Sequence, residues 1–118
     1  MATRILSIAY DVSLSRTRRL LLENEGYVVT SATEFDEAVR LCRTESFDLV
    51  VVGHCFPDER QQQHLITELR SVCSTPLLAL RCWEGPGQGA DVYAYVADGP
   101  AALIAAVKKM LARNAKAA

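Results

Sequence analysis

The chain has 118 residues, with 13 Lys and Arg against 14 Asp and Glu, so its formal net charge is −1. Half of the residues are hydrophobic, which excludes a disordered chain and suits one globular domain. The balanced charge argues against nucleic-acid binding, and no apolar stretch is long enough for a membrane span or a signal peptide. We therefore expect one cytoplasmic domain over residues 1–118, in which residues 114–118 form a frayed tail.

Five short apolar segments without strict alternation predict strands that are buried on both faces of a parallel sheet. They are residues 5–9, 27–29, 49–52, 77–80 and 92–96. Between them the apolar spacing becomes that of a helix, as in Phe35, Ala38, Val39 and Cys42, or in Ile104, Val107 and Leu111. Gly26 ends the first predicted helix and Pro100 opens the last one. The alternating order predicts an α/β fold with a doubly wound sheet and helices on both faces.

In such a sheet the functional crevice lies beyond the carboxyl ends of the strands. The cysteines that fall there, Cys55 and Cys82, belong to no CxxC motif, and His54 adds only one adjacent pair. We therefore expect no metal and no cofactor. Whether Cys55 or Cys82 is redox-active depends on thiol pKa values that the sequence does not give.

Several segments resemble the receiver (CheY-like) domain of two-component response regulators. They are residues 4–8 (RILSI), 23–29 (ENEGYVV), 47–52 (FDLVVV) with 56–58 (FPD), 75–80 (TPLLAL) and 89–93 (GADVY). The resemblance covers nearly the whole chain. It implies the flavodoxin-like fold, a five-stranded parallel sheet in the order 2-1-3-4-5.

The family's chemistry depends on five positions, and the resemblance implies that all five are replaced here. An acidic pair after the first strand binds Mg²⁺ in the family, and the matching residues are Ala9 and Tyr10. The phosphoacceptor aspartate corresponds to Gly53, the Ser/Thr after strand four to Arg81, and the lysine after strand five to Val96. Phosphoryl transfer needs a nucleophile, and Mg²⁺ needs carboxylate ligands. We therefore expect a degenerate pocket, a pseudo-receiver and no enzyme activity.

Three charged residues near this pocket allow two interpretations each. Asp11, beside the lost acidic pair, and Asp58 are substitute acceptors or, more simply, cap and loop carboxylates. Arg81 binds a small anion in the crevice or, more simply, pairs with one of those two aspartates. The run Arg16, Arg18 and Arg19 on the first predicted helix is most simply a solvated polar face, and the alternative is a weak phosphate-binding patch, which the overall charge does not indicate.

The connection between strands four and five departs from the family. Residues 82–89 contain three Gly and one Pro, which disfavour a helix. We therefore expect the family's fourth helix to be shortened or missing. Trp83 in this segment either anchors a partner or covers the vacated pocket. Tyr93 matches the family's switch aromatic.

The function implied by the resemblance is a protein interaction module of bacterial two-component (phosphorelay) signalling that works without aspartyl phosphorylation. The expected partner is a histidine kinase, another regulator or a second copy of the chain, with no nucleic acid and no membrane. The expected surface includes Trp83, Tyr95, Lys108 and Lys109. Two alternatives stay open: phosphorylation at an unusual acceptor, and binding of a small anionic ligand at the strand ends.

Overall fold

A computed structural model describes residues 2–53, 59–81, 90–95 and 99–117 of the chain. The strands are β1 (Arg4–Ile8), β2 (Val28–Ala32), β3 (Leu49–Val52), β4 (Leu77–Arg81) and β5 (Val92–Tyr95). The helices are α1 (Val12–Asn24), α2 (Phe35–Thr44), α3 (Glu59–Val72) and α4 (Gly99–Ala117). The expectation of a reduced helix concerns residues 82–89, which lie outside the described residues.

All five strands are parallel and form one sheet in the order β2-β1-β3-β4-β5. This confirms the predicted fold class and strand order. In the register Ile8 lies opposite both Ala32 and Val52, and Val52 lies opposite Ala79. The carboxyl ends of β1, β3 and β4 therefore meet at one edge of the sheet.

The sheet is covered on both faces, which explains why its strands show no polar alternation. Leu6 and Ile8 of β1 pack in one hydrophobic cluster with α2 and α3. Ile5, one position away, packs in a second cluster with α1 and α4. Successive side chains of a strand point to opposite faces, so each strand has to supply apolar residues to both clusters.

The end of α1 follows the sequence prediction. Gly26 follows α1 with a φ of +94°, a left-handed conformation that glycine adopts without steric cost. Its N–H donates to the Glu23 carbonyl at 2.9 Å. Nearby, the Lys108 ammonium of α4 lies 3.0 Å from the Glu25 carboxylate, which links the second face of the sheet to the end of α1.

Asp91 joins β4, β5 and the end of α3 on the amino-terminal side of the sheet. Its Oδ2 accepts from the Leu77 N–H at 2.8 Å and from Arg70 Nη2 at 2.7 Å. Burial raises the pKa of Asp91, but these hydrogen bonds and the Arg70 charge outweigh it and hold the pKa below 3.8. The carboxylate form of Asp91 thus stabilises the edge of the sheet.

In the part of the chain that the structure describes, no helix combines the length and the apolar character needed to cross a membrane.

Candidate functional site

The site lies where β1 and β3 end, and two of the predicted pocket residues meet there. The Gly53 N–H donates to the Ile8 carbonyl at 2.7 Å, and the Ala9 N–H donates to the Ala32 carbonyl at 3.0 Å. Ala9 is buried, whereas the side chain of Tyr10 is 59% exposed. Gly53 and Ala9, which the resemblance matches to the phosphoacceptor and to the first residue of the acidic pair, therefore lie side by side.

Gly53 has no room for a side chain in this structure. A Cβ added to it would lie 2.7 Å from the Ile8 carbonyl oxygen, 2.8 Å from Arg18 Nη1 and 3.3 Å from the Cα of Ala9. Carbon atoms do not approach an oxygen or nitrogen this closely without a shift of one of them. The arginine can move, but the Ile8 oxygen belongs to the backbone of the central strand.

The interpretation of Arg18 as part of a solvated face is wrong, because Arg18 is only 6% exposed. The buried residues of α1 are Ser15, Arg18 and Leu22. Their spacing of three and four residues is that of the inward face of a helix. This spacing could have predicted from the sequence that Arg18 is buried, because it places the arginine among the residues that point towards the sheet. The guanidinium reaches the end of β3 at Gly53.

Arg81 is also buried, with 4% of its surface exposed at the end of β4. The central carbon of its guanidinium lies 5.3 Å from the centroid of the Tyr93 ring, a cation–π geometry. The Tyr93 hydroxyl is buried and has no hydrogen-bond partner among the described residues. The structure therefore joins the residue at the family's Ser/Thr position to the residue at the switch-aromatic position.

Gln62 of α3 is a site residue that the sequence analysis did not identify. It is 5% exposed, and its Nε2 donates to the Gly53 carbonyl at 2.9 Å and to the Leu80 carbonyl at 2.7 Å. One amide thus satisfies two buried carbonyl groups where β3 and β4 end. Gln62 precedes Ile66 and Leu69 on the buried side of the helix, and this helical spacing was its signal.

Asp11, the remaining carboxylate, caps α1. Its backbone is extended, and its Oδ1 accepts from the Leu14 N–H at 3.0 Å, which satisfies one of the first free N–H groups of the helix. This agrees with the simpler interpretation of Asp11. The Arg81 guanidinium lies over the Tyr93 ring, and Asp58, the other carboxylate predicted to pair with Arg81, lies outside the described residues. Within residues 2–53, 59–81, 90–95 and 99–117, no three His, Cys, Asp or Glu side chains are grouped in a way that could hold a metal ion.

The other predicted residues divide into two groups. Lys108 and Lys109 are exposed on α4, and Lys108 pairs with Glu25. The second group consists of residues that the structure does not describe: His54, Cys55, Asp58, Cys82, Trp83, Val96 and the side chain of Tyr95. What the sequence predicts for these residues therefore stays a prediction.

Comparisons with known proteins agree with the architecture. No protein-family profile and no curated protein matches the chain. Among solved structures, the chain is similar to a CheY-like response regulator receiver domain from Methanospirillum hungatei JF-1, with 21% identity, a TM-score of 0.89 and complete coverage of both chains. It is also similar to a two-component response regulator from Clostridium difficile, with 22% identity, a TM-score of 0.81 and coverage of 94% of this chain and 97% of the other.

A third similar structure is the N-terminal domain of a response regulator/sensory box/GGDEF 3-domain protein from Carboxydothermus hydrogenoformans. Its identity is 19%, its TM-score is 0.83, and 98% of each chain is covered. The chain therefore has the receiver-domain fold, as the sequence resemblance predicts. At this level of identity the likeness concerns the fold, so the chemistry has to be argued from the site.

Proposed function

We propose that this chain is a pseudo-receiver, a protein interaction module of two-component signalling that works without aspartyl phosphorylation. The observation that carries the proposal is the packing around Gly53, where the backbone of Ile8 and the guanidinium of Arg18 occupy the space of a side chain. A carboxylate nucleophile is missing from this position, and a side chain there would require a shift of the Ile8 backbone and of Arg18.

The charge around Gly53 supports the same proposal. Mg²⁺ binds to carboxylate and other hard oxygen ligands, and Ala9 and Tyr10 supply none from their side chains. Arg18 instead brings a positive charge to the end of β3. A guanidinium beside the position of the metal repels a divalent cation, most strongly where burial lowers the effective dielectric constant. Phosphoryl transfer to a carboxylate depends on that cation, so we propose that the chain is not an enzyme.

Several large apolar side chains at the beginning of α1 and along it are exposed. Tyr10, Val12 and Leu20 are 59–66% exposed, and Leu14 is 37% exposed. Exposed apolar side chains are where a protein partner can bury surface when it binds. We propose the exposed side of α1 as a docking surface, beside the surface on α4 and β5 expected from the sequence. The partner is a kinase, another regulator or a second copy.

The test uses Mg²⁺ with beryllofluoride, a mimic of an aspartyl phosphate, and ¹H–¹⁵N NMR spectra of the whole chain. We expect the amides of Ala9, Asp11 and Gly53 to keep their positions. Incubation with acetyl phosphate and Mg²⁺ should add no phosphoryl group to the intact mass. The Gly53→Asp variant restores a carboxylate but not the metal ligands, so we expect it to stay unmodified as well.

Two results would contradict the proposal. One is a Mg²⁺-dependent shift of the Gly53 amide with beryllofluoride. The other is a phosphorylated mass that disappears in an Asp11→Asn variant, because it would identify Asp11 as an unusual acceptor. Docking is tested separately with Leu20→Glu, which places a charge on α1, with Lys109→Glu for the expected surface on α4, and with Thr67→Glu at an exposed position of α3 as the control. Loss of partner binding or of self-association only in Leu20→Glu supports the α1 surface.

A further inference from the structure

Two cysteines meet on the face of the sheet that α2 and α3 cover. Cys42, in the second half of α2, is 5% exposed, whereas Cys73 directly follows the last residue of α3 and is half-buried. A side-chain hydrogen bond joins the two thiols. The two cysteines belong to no short motif, so spacing along the chain gives no sign of this pair, and only the fold brings them together.

The backbone around the pair is held in place. Cys42 packs in one hydrophobic cluster with Leu69 of α3. The Cys73 N–H donates to the Leu69 carbonyl at 3.0 Å, and the Cys73 thiol donates to the same oxygen at 3.4 Å. Arg70 donates to the Thr75 carbonyl at 3.3 Å, which fixes the turn that follows. The Cys73 thiol can therefore give up its contact with Leu69 while the backbone hydrogen bond stays.

The two thiols differ in accessibility and in reactivity. Burial and the neighbouring Cys73 raise the pKa of Cys42 to about 12, so Cys42 is a neutral thiol at physiological pH. Oxidants react with cysteines that are accessible and that can form the thiolate. Cys73 is the more accessible of the two, so an oxidant reaches it first. Cys42 then lies beside it as a second thiol that can close a disulfide.

We propose that Cys42 and Cys73 form a redox-sensitive thiol pair that a peroxide converts to an intramolecular disulfide. In the first step the Cys73 sulfur attacks one oxygen of hydrogen peroxide, so that an S–O bond forms, the O–O bond breaks, and the leaving hydroxide takes up the thiol proton as water. The Cys42 sulfur then attacks the Cys73 sulfur, so that the S–S bond forms and the S–O bond breaks. The second hydroxide leaves with the Cys42 proton as water. The two sulfur atoms together lose two electrons, and the peroxide gains them.

The disulfide would join α2 to the end of α3 by a covalent bond. Such a cross-link stabilises a fold mainly because it restricts the unfolded chain. The pair lies towards the amino-terminal edge of the sheet, because α2 precedes β3 and α3 precedes β4, whereas Gly53 lies at the opposite edge. The inference therefore goes beyond the interaction module and requires neither phosphorylation nor a protein partner.

The unchanged chain can test the proposal, because its four cysteines fall on four different tryptic peptides. Cleavage after Arg and Lys places Cys42 in residues 41–43 and Cys73 in residues 71–81. We expect hydrogen peroxide at neutral pH to lower the intact mass by two hydrogen atoms and to link these two peptides, and dithiothreitol to separate them. In urea the same treatment should give mixed pairings that include Cys55 and Cys82, because loop closure depends only weakly on loop length.

Two single variants form matched controls. In Cys42→Ser, we expect peroxide to convert Cys73 to a sulfenic acid, which dimedone traps, and no link to form. In Cys73→Ser, we expect Cys42 to stay reduced because it is buried. Urea unfolding gives a second measurement. The midpoint of the unchanged chain should rise on oxidation and return with dithiothreitol, and neither variant should show this reversible rise.

Three outcomes would overturn the inference. They are a folded chain in which Cys73 stays reduced or is oxidised without a link to Cys42, a folded chain whose main link joins another pair of cysteines, and oxidation of Cys42 in Cys73→Ser as readily as in the unchanged chain. None of these concerns phosphorylation. A chain that forms no disulfide and also ignores beryllofluoride would thus disprove the thiol pair while it supports the pseudo-receiver.

Discussion

Gly53→Ala adds one methyl group at the centre of the site and measures how tightly the end of β3 is packed. The new Cβ would lie 2.7 Å from the Ile8 carbonyl oxygen and 2.8 Å from Arg18 Nη1. Excess volume in a packed region typically costs about 1–3 kcal/mol. Gly53 does not have a positive φ, so alanine gains about 0.4–1 kcal/mol from the lower entropy of the unfolded chain. We expect a net loss of about 1–2 kcal/mol in the free energy of unfolding.

Urea unfolding followed by far-UV circular dichroism measures this loss. With a slope of about 1–2 kcal/mol per M, the midpoint should fall by about 1 M. The Arg18→Ala background separates the two close contacts, because it removes the guanidinium and leaves the Ile8 oxygen in place. We expect Gly53→Ala to remain destabilising in that background. A Gly53→Ala variant at least as stable as the unchanged chain would refute the conclusion that the space beside Gly53 is filled. If Gly53→Ala costs no stability in the Arg18→Ala background, then only the arginine fills that space.

Three further predictions concern other parts of the chain. Arg81→Met should change the ring resonances of Tyr93 in NMR spectra and cost about 0.5–2 kcal/mol, because it removes the cation over the ring. The pKa of Asp91 is lower in the folded chain than its ordinary 3.8, so its contribution is present above that value and is lost as the pH falls through the folded pKa. In urea titrations, Asp91→Asn should therefore flatten the decline of stability below pH 3.8. Burial and the neighbouring Cys73 raise the pKa of Cys42 to about 12, so iodoacetamide at pH 8 should leave the Cys42 peptide unlabelled until the chain unfolds.

The fold could be predicted from the sequence because its determinants are local and repeated. The apolar segments identify β1, β3 and β4, and the stripes such as Phe35, Ala38 and Cys42 identify the helices that cover them. Each of these signals depends on spacing along the chain alone. The exception is β2, which extends to Ala32 through Thr30 and Ser31, two polar residues that the apolar pattern did not include.

The site could be predicted only in part, for a different physical reason. The resemblance to receiver domains predicted that Ala9 and Gly53 lie together at the strand ends, and the structure brings them together. Arg18 and Gln62 were missed because charge and polarity normally indicate an exposed position. Both lie on the buried spacing of their helices, so periodicity carried the signal for burial while residue type suggested the opposite. A polar residue on an otherwise buried helical stripe is therefore a useful signal of a site.

The structure also shows that the core of the sheet is packed independently of the side chains at the strand ends. The two hydrophobic clusters pack β1, β3 and β4 from both faces, and the side chains of Tyr10, Asp11 and Arg81 belong to neither. The strand ends can therefore change without loss of the core. With glycine at position 53, the end of β3 has space for the guanidinium of Arg18, and Gln62 satisfies the carbonyl groups next to it. An aspartate at position 53 would compete for the same space, so the glycine and the buried arginine depend on each other.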